Sequence, residues 1–175
     1  VHVPGILKSR RKAIVDRWMD LTLQVYPEDS ARFMRSEKDR FGNPVGRITR
    51  DALEAVFEGL LTDRTIEEMR GSLDEIVRLR AVQDLPPSRA VGFVFLLKTA
   101  IHAELDESEA DRARSVDLTA LDSGIDRLGL AAFDLFVQCR EKIYDLRASE
   151  IRRRTASLLA RAERGAAEET DEAQH

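Results

Sequence analysis

Apolar positions along the chain recur mostly at three- and four-residue spacing, the signature of amphipathic helices, and one stretch departs from it. In Ala90–Ile101, Ala-Val-Gly-Phe-Val-Phe-Leu-Leu-Lys-Thr-Ala-Ile, the apolar residues occupy nearly every side of a helix. A helix of that kind must be covered by neighbours on several faces. The stretch therefore predicts a buried central helix, started by Ser88 and Arg89 after Pro86 and Pro87 and ending near Leu105, since proline suits a position whose N–H has no partner. It is too short to cross a bilayer, which needs about 20 apolar residues.

The other helices follow by pattern. Ile14, Trp18, Leu21 and Val25 predict a first helix over Ile6 to Val25, closed by Tyr26-Pro27, and a short second helix runs from Pro27 to Glu37, burying Phe33 and Met34. Asn43 caps a helix whose first residue is Pro44 and whose stripe is Val45, Ile48, Ala52, Leu53, Val56, Phe57, Leu60 and Leu61. Thr65-Ile66-Glu67-Glu68 and Ser72-Leu73-Asp74-Glu75 both read as capping boxes, which places a break near Gly71. From about Asp117 to Glu163 no proline intervenes, and Leu118, Leu121, Ile125, Leu128, Ala132 and Leu135 are spaced like a heptad, so one long helix is expected, loosened at Gly124 or Gly129. Its early part also carries Phe133, Phe136, Val137, Ile143 and Leu146, whereas Arg147 to Arg164 is mostly charged with a thin stripe of Ile151, Leu158 and Ala162. The expected fold is all-α: a single globin-like or irregular helical bundle around a buried central helix, with a long C-terminal helix. The expected organisation is a helical domain over 1–146, a protruding helix end over 147–164 and a disordered tail over 165–175.

Composition narrows the function. With 43% hydrophobic and 34% charged residues and only five prolines, the 175-residue chain suits one soluble helical domain with an appendage. Twenty-eight basic against 32 acidic residues leave a net charge of −4, which disfavours nucleic acid as the main partner. A lone cysteine, Cys139, precludes an internal disulfide and points to a buried structural thiol in a reducing cytoplasm. Neither a leader nor a membrane segment is indicated, so the expected location is cytoplasmic, away from membranes.

No constellation of side chains announces a reaction, and the chain is expected to be non-enzymatic with no catalytic or metal site. His102 is the one internal histidine. It has no second ligand at metal spacing, but it could hold a haem iron, which makes a haem- or cofactor-binding redox protein the alternative reading. Glu54 with Glu58 and Asp122 with Asp126 share helix faces and read as hydrated surface. The polar stretches Arg40-Phe41-Gly42-Asn43-Pro44 and Arg78 to Asp84 are more pointed. If they meet, Arg40, Asn43, Arg78, Arg80, Gln83 and Asp84 form a ligand- or partner-binding site for a small molecule or an anion; otherwise they are caps and ion pairs. The basic segments Lys8–Lys12 and Arg152–Arg154 are candidates for docking an acidic partner or nucleic acid.

These stretches also carry a resemblance. Ile14-Val15-Asp16-Arg17-Trp18, Tyr26-Pro27, Arg40-Phe41-Gly42-Asn43-Pro44-Val45-Gly46, Arg80-Ala81-Val82-Gln83-Asp84, Pro87-Ser88 and Ala90 to Lys98 resemble the N-terminal domain of the RsbT co-antagonist RsbRD family, over roughly Ile6 to Arg152. The resemblance implies the sensory module of a stress-response regulator, helical, globin-like without haem, and dimeric, whose long helix leads to a downstream STAS domain. That domain, with its phosphorylatable residues and its contacts to the kinase RsbT, is not part of this sequence. Similar stand-alone domains accompany sulfite metabolism in sulfate-reducing bacteria. No catalytic residue is implied; a homodimer that couples a ligand or a regulatory protein partner to its C-terminal helix is.

Overall fold

A computed structural model describes residues 5–36, 42–83, 85–105 and 118–172. Among them the chain is all helical, in eight helices: α1 (Gly5–Ser9), α2 (Arg11–Leu23), α3 (Glu28–Arg35), α4 (Pro44–Leu61), α5 (Ile66–Val82), α6 (Pro87–Val91), α7 (Phe93–Glu104) and α8 (Leu118–Glu172). The chain divides into two compact units, Val1–Cys139 and Arg140–His175.

In the first unit α2 packs on α7 and α4 on α5, with α2 also against α4. The packed faces are those that the helical spacing selects: Ile14, Trp18 and Leu23 of α2, Leu53 and Phe57 of α4, Leu73, Ile76 and Val77 of α5, and Phe93, Leu97 and Ile101 of α7 are all buried. From α8, Leu121, Ile125, Leu128, Ala132, Leu135 and Phe136 complete this core. Trp18 spans it: its ring stacks on Phe93 with centroids 6.4 Å apart, and its indole N–H donates to the Phe93 carbonyl at 2.6 Å. A buried indole needs such an acceptor, because an unpaired donor would forfeit its bond to water.

Several details differ from the pattern-based expectation. The first helix is two, broken at Arg10 and ended at Leu23. Phe33 is 54% exposed, whereas α3 buries Met34 as the pattern expects, with Ala31 beside it. Gly71 does not interrupt α5: the Thr65–Glu68 box caps that helix, and Ser72 lies inside it. The stretch Ala90–Ile101 is divided at Gly92 into α6 and α7, because there the backbone turns so tightly that a Cβ would lie 2.5 Å from the Ser88 carbonyl oxygen. Phe95 of α7 is 41% exposed, so that helix is covered on most sides and open on one.

The last helix is unbroken at Gly124 and Gly129 and continues to Glu172, taking in residues 165–172. Its segment from residue 141 through 162 in the second unit is exposed almost throughout. Charge pairs in the first unit both join helices and link neighbouring turns. In the basic segment at the chain start, Arg11 pairs with Glu58 at 2.9 Å and Lys12 with Asp16 at 2.7 Å, while Lys98 reaches Asp126 at 2.7 Å.

Candidate functional site

Of the polar residues singled out in the sequence, the four that are described lie in two places, at the start of α4 and at the end of α5. Arg40 and Asp84 lie outside the described residues. Asn43 sits at the start of α4 and is 5% exposed. Its Oδ1 accepts from the Gly46 N–H at 2.9 Å, and its Nδ2 donates toward the Phe33, Met34 and Ser36 carbonyls at 3.0, 2.9 and 3.1 Å. One side chain thus caps α4 and satisfies the open C-terminal carbonyls of α3. Gly46 is required beside it, since a Cβ there would lie 2.1 Å from the Met34 oxygen.

Arg78, Arg80 and Gln83 share the end of α5 but differ in environment. Arg78 points outward and pairs with Asp74, one turn earlier, at 2.5 Å. Arg80 is 2% exposed. Its Nη2 donates to the Thr22 carbonyl at 2.8 Å, and its Nη1 to those of Arg89 at 2.9 Å and Ala90 at 3.3 Å. The guanidinium lies 5.0 Å from the Phe93 ring centroid and 5.9 Å from that of Tyr26. Tyr26 in turn donates its hydroxyl to Gln83 Oε1 at 2.7 Å.

Among the described residues Arg80 is therefore a cation in the core whose hydrogen-bond partners are carbonyls rather than a carboxylate. Burial lowers its pKa and the neighbouring Tyr26 opposes that shift. The arrangement makes physical sense because Thr22 lies in the last turn of α2, and Arg89 and Ala90 in the last turns of α6. Helix C-termini carry unsatisfied carbonyls and partial negative charge, so two of them together can replace an anion. The planar fork of an arginine reaches both at once, which a lysine cannot do. The aromatic faces of Phe93 and Tyr26 add a further favourable contact. The Thr22 hydroxyl beside this cluster is buried and has no hydrogen-bond partner.

Burial could not be read from the spacing of Arg80, because periodicity marks apolar positions and treats every arginine as surface. Its position in the stripe Leu73, Ile76, Val77, Arg80 was the available signal: Ile76 to Arg80 is one turn, on the core face.

Other candidates are simpler. His102 is exposed in the last turn of α7. Cys139, the one cysteine of the chain, is half-buried. No group of three metal-binding side chains occurs among the described residues, and no helix there is long and apolar enough to cross a membrane.

One apolar surface stands out on the first unit. Phe95 of α7 and Leu130, Phe133 and Val137 of α8 are 41, 67, 46 and 37% exposed. The three α8 residues follow at i, i+3 and i+7, one face of a helix. The Phe95 ring rests on Gly129, where a Cβ would come within 2.3 Å of it, so the two helices meet closely beneath this face.

No curated protein and no solved structure matches the chain. A family does: residues 12–151, most of the chain including α2 to α7, match the N-terminal domain of the RsbT co-antagonist protein rsbRD. The chain thus belongs to the RsbT co-antagonist rsbRD N-terminal domain family, a family of stress-signalling regulatory modules.

Proposed function

We propose that this chain is a non-enzymatic input module of a stressosome-like bacterial signalling protein, acting in the cytoplasm as a homodimer that couples binding of a ligand or regulatory partner to its C-terminal helix. The observation that carries the reading is the apolar face of Phe95, Leu130, Phe133 and Val137, part of which lies on α8 itself. A second copy would cover it, and aromatic and aliphatic side chains are what the centre of such an interface uses. On the input side, Gln83 and Arg78 stand at the surface end of α5, and Arg80 behind them ties that end to α2 and to the α6–α7 junction. Binding at the outer end can thereby shift α7 against the first turns of α8 by biasing two packings of the junction.

Native mass spectrometry of the purified chain, compared with the denatured mass, tests this. A dimer that becomes a monomer in Leu130→Asp and Phe133→Asp is expected, with or without a small bound mass that leaves on denaturation. A wild-type monomer at micromolar concentration refutes the dimer, and a haem-sized mass lost in His102→Ala refutes the reading in favour of a cofactor-binding protein.

A further inference from the structure

The second unit carries a seam with a charge pattern that its own copy cannot complement. Along α8 from residue 140, Tyr144, Ile151 and Leu158 recur every seven residues, and Ala148, Thr155 and Ala162 recur four residues after each. This is a coiled-coil seam with small residues in one layer and large ones in the other. Tyr144, Ile151 and Leu158 are 54, 64 and 65% exposed.

One flank of the seam is arginine at every heptad: Arg140, Arg147, Arg154 and Arg161. The other flank is mixed: Asp145, Arg152 and Leu159. In a parallel pair, each residue of the first flank meets the residue five positions later on the partner's second flank. Two copies in register would place Arg140 by Asp145, Arg147 by Arg152, and Arg154 by Leu159: one attraction, one repulsion and one unpaired charge. In an antiparallel pair the arginine flanks would face each other. Neither arrangement is self-complementary.

Positive charge is in excess along this stretch. Arg154 pairs with Glu150 on the same helix at 2.5 Å, but the two side chains are 77 and 55% exposed, where such a pair is worth little. Arg140 donates to the Tyr144 hydroxyl at 2.8 Å with its guanidinium 5.0 Å from the ring. From residue 140 through 162 there are seven basic residues (Arg140, Lys142, Arg147, Arg152, Arg153, Arg154, Arg161) against three acidic ones (Glu141, Asp145, Glu150).

We infer that this seam is a docking surface for an amphipathic helix of a different protein, with an apolar face and acidic flanks. The small residues at Ala148, Thr155 and Ala162 let that helix approach closely, while its carboxylates meet Arg147, Arg154 and Arg161 in the geometry guanidinium favours. Because the apolar layer is thin, the charges set both partner choice and much of the affinity. The inference concerns the output side of the reading above and rests on it for the role of the bound helix, not for the binding.

The test titrates the full chain into two fluorescent four-heptad peptides with the same Ala/Leu seam, one flanked by Glu and one by Lys, and reads anisotropy. The Glu peptide is expected to bind at least about tenfold more tightly than the Lys peptide, a difference of charge complementarity that weakens between about 50 and 300 mM salt. The double variant Arg147→Glu with Arg154→Glu should reverse the preference, and Ile151→Asp should abolish both interactions. All three positions are exposed, so circular dichroism should be unchanged.

Equal binding of both peptides overturns the inference. So does self-association that Ile151→Asp dissolves and the Glu peptide does not compete with, which would assign the seam to a second copy. Binding to vesicles containing about one third phosphatidylserine without binding to the Glu peptide would assign it to a membrane surface. Failure of the dimer reading shows instead in Leu130→Asp, which leaves peptide binding intact, so the two can fail separately.

Discussion

Replacing Arg80 by methionine removes the charge while keeping most of the side-chain volume. The wild-type guanidinium makes two full hydrogen bonds, to Thr22 and Arg89, and a longer one to Ala90. Bonds to a charged donor contribute about 1.5–3 kcal/mol each, and the carbonyls left behind are shielded from water. Against this, methionine avoids desolvating a cation, a cost of several kcal/mol. The net expectation is a loss of about 2–4 kcal/mol, seen as a fall of about 5–15 °C in Tm for a chain of this size. Arg80→Lys keeps the charge but loses the fork and should lose about 1–2 kcal/mol. Arg78→Met, two residues earlier on α5, removes only an exposed pair with Asp74 and should change stability by less than about 0.5 kcal/mol. Urea unfolding followed by far-ultraviolet circular dichroism measures all three. Equal stability of Arg80→Met and Arg78→Met would refute the assignment of Arg80 to the two helix ends. It would also return Arg80 to the ligand- or partner-binding site for which the sequence made it a candidate.

Two further predictions follow from the same structure. Asp16 is partly buried, which alone would raise its pKa, but the bonds and charges of Lys12 and Arg50 outweigh burial and lower it; the Thr65 backbone N–H, then its hydroxyl, likewise lower Glu68. The folded chain therefore takes up these protons less readily than the unfolded one, so their stabilisation is full above the ordinary carboxylate range and is lost as pH falls from there through the lowered folded-state values. Asp16→Asn should flatten the acid limb of the stability–pH curve and cost about 0.5–1.5 kcal/mol at neutral pH; an unchanged acid limb would contradict the pairing. The two glycines make a matched pair: Gly71→Ala should stabilise by about 0.5–1 kcal/mol, being helical and exposed with nothing near its missing Cβ. Gly92→Ala should destabilise by about 1–3 kcal/mol, because the Ser88 carbonyl oxygen that a Cβ would meet is backbone and cannot swing aside. Thermal unfolding of both variants decides whether the α6–α7 division is a requirement of the fold.

That pair also shows where sequence reading succeeded and where it stopped. Helix existence was legible because it depends on apolar spacing: the stripe of α4, its Asn43-Pro44 start, the Thr65–Glu68 box and the core residues Leu121 to Leu135 of α8 all lie where the pattern puts them. Boundaries depend on which glycine is crowded, and crowding is a property of neighbours. Gly71 precedes a convincing capping motif, yet nothing approaches it and α5 runs through. Gly92 lies inside the most apolar run in the chain, and there the backbone folds onto itself. The candidate polar residues divide on the same principle. The capping role of Asn43 was local and therefore visible, while its donation to three carbonyls of the preceding segment was not. The Arg80 fork reaches Thr22, 58 positions earlier, a distance no local motif records. A buried arginine facing carbonyls instead of a carboxylate cannot be recognised by searching for its counter-charge; it is found from the helix ends, by asking what satisfies the carbonyls that α2 and α6 leave open.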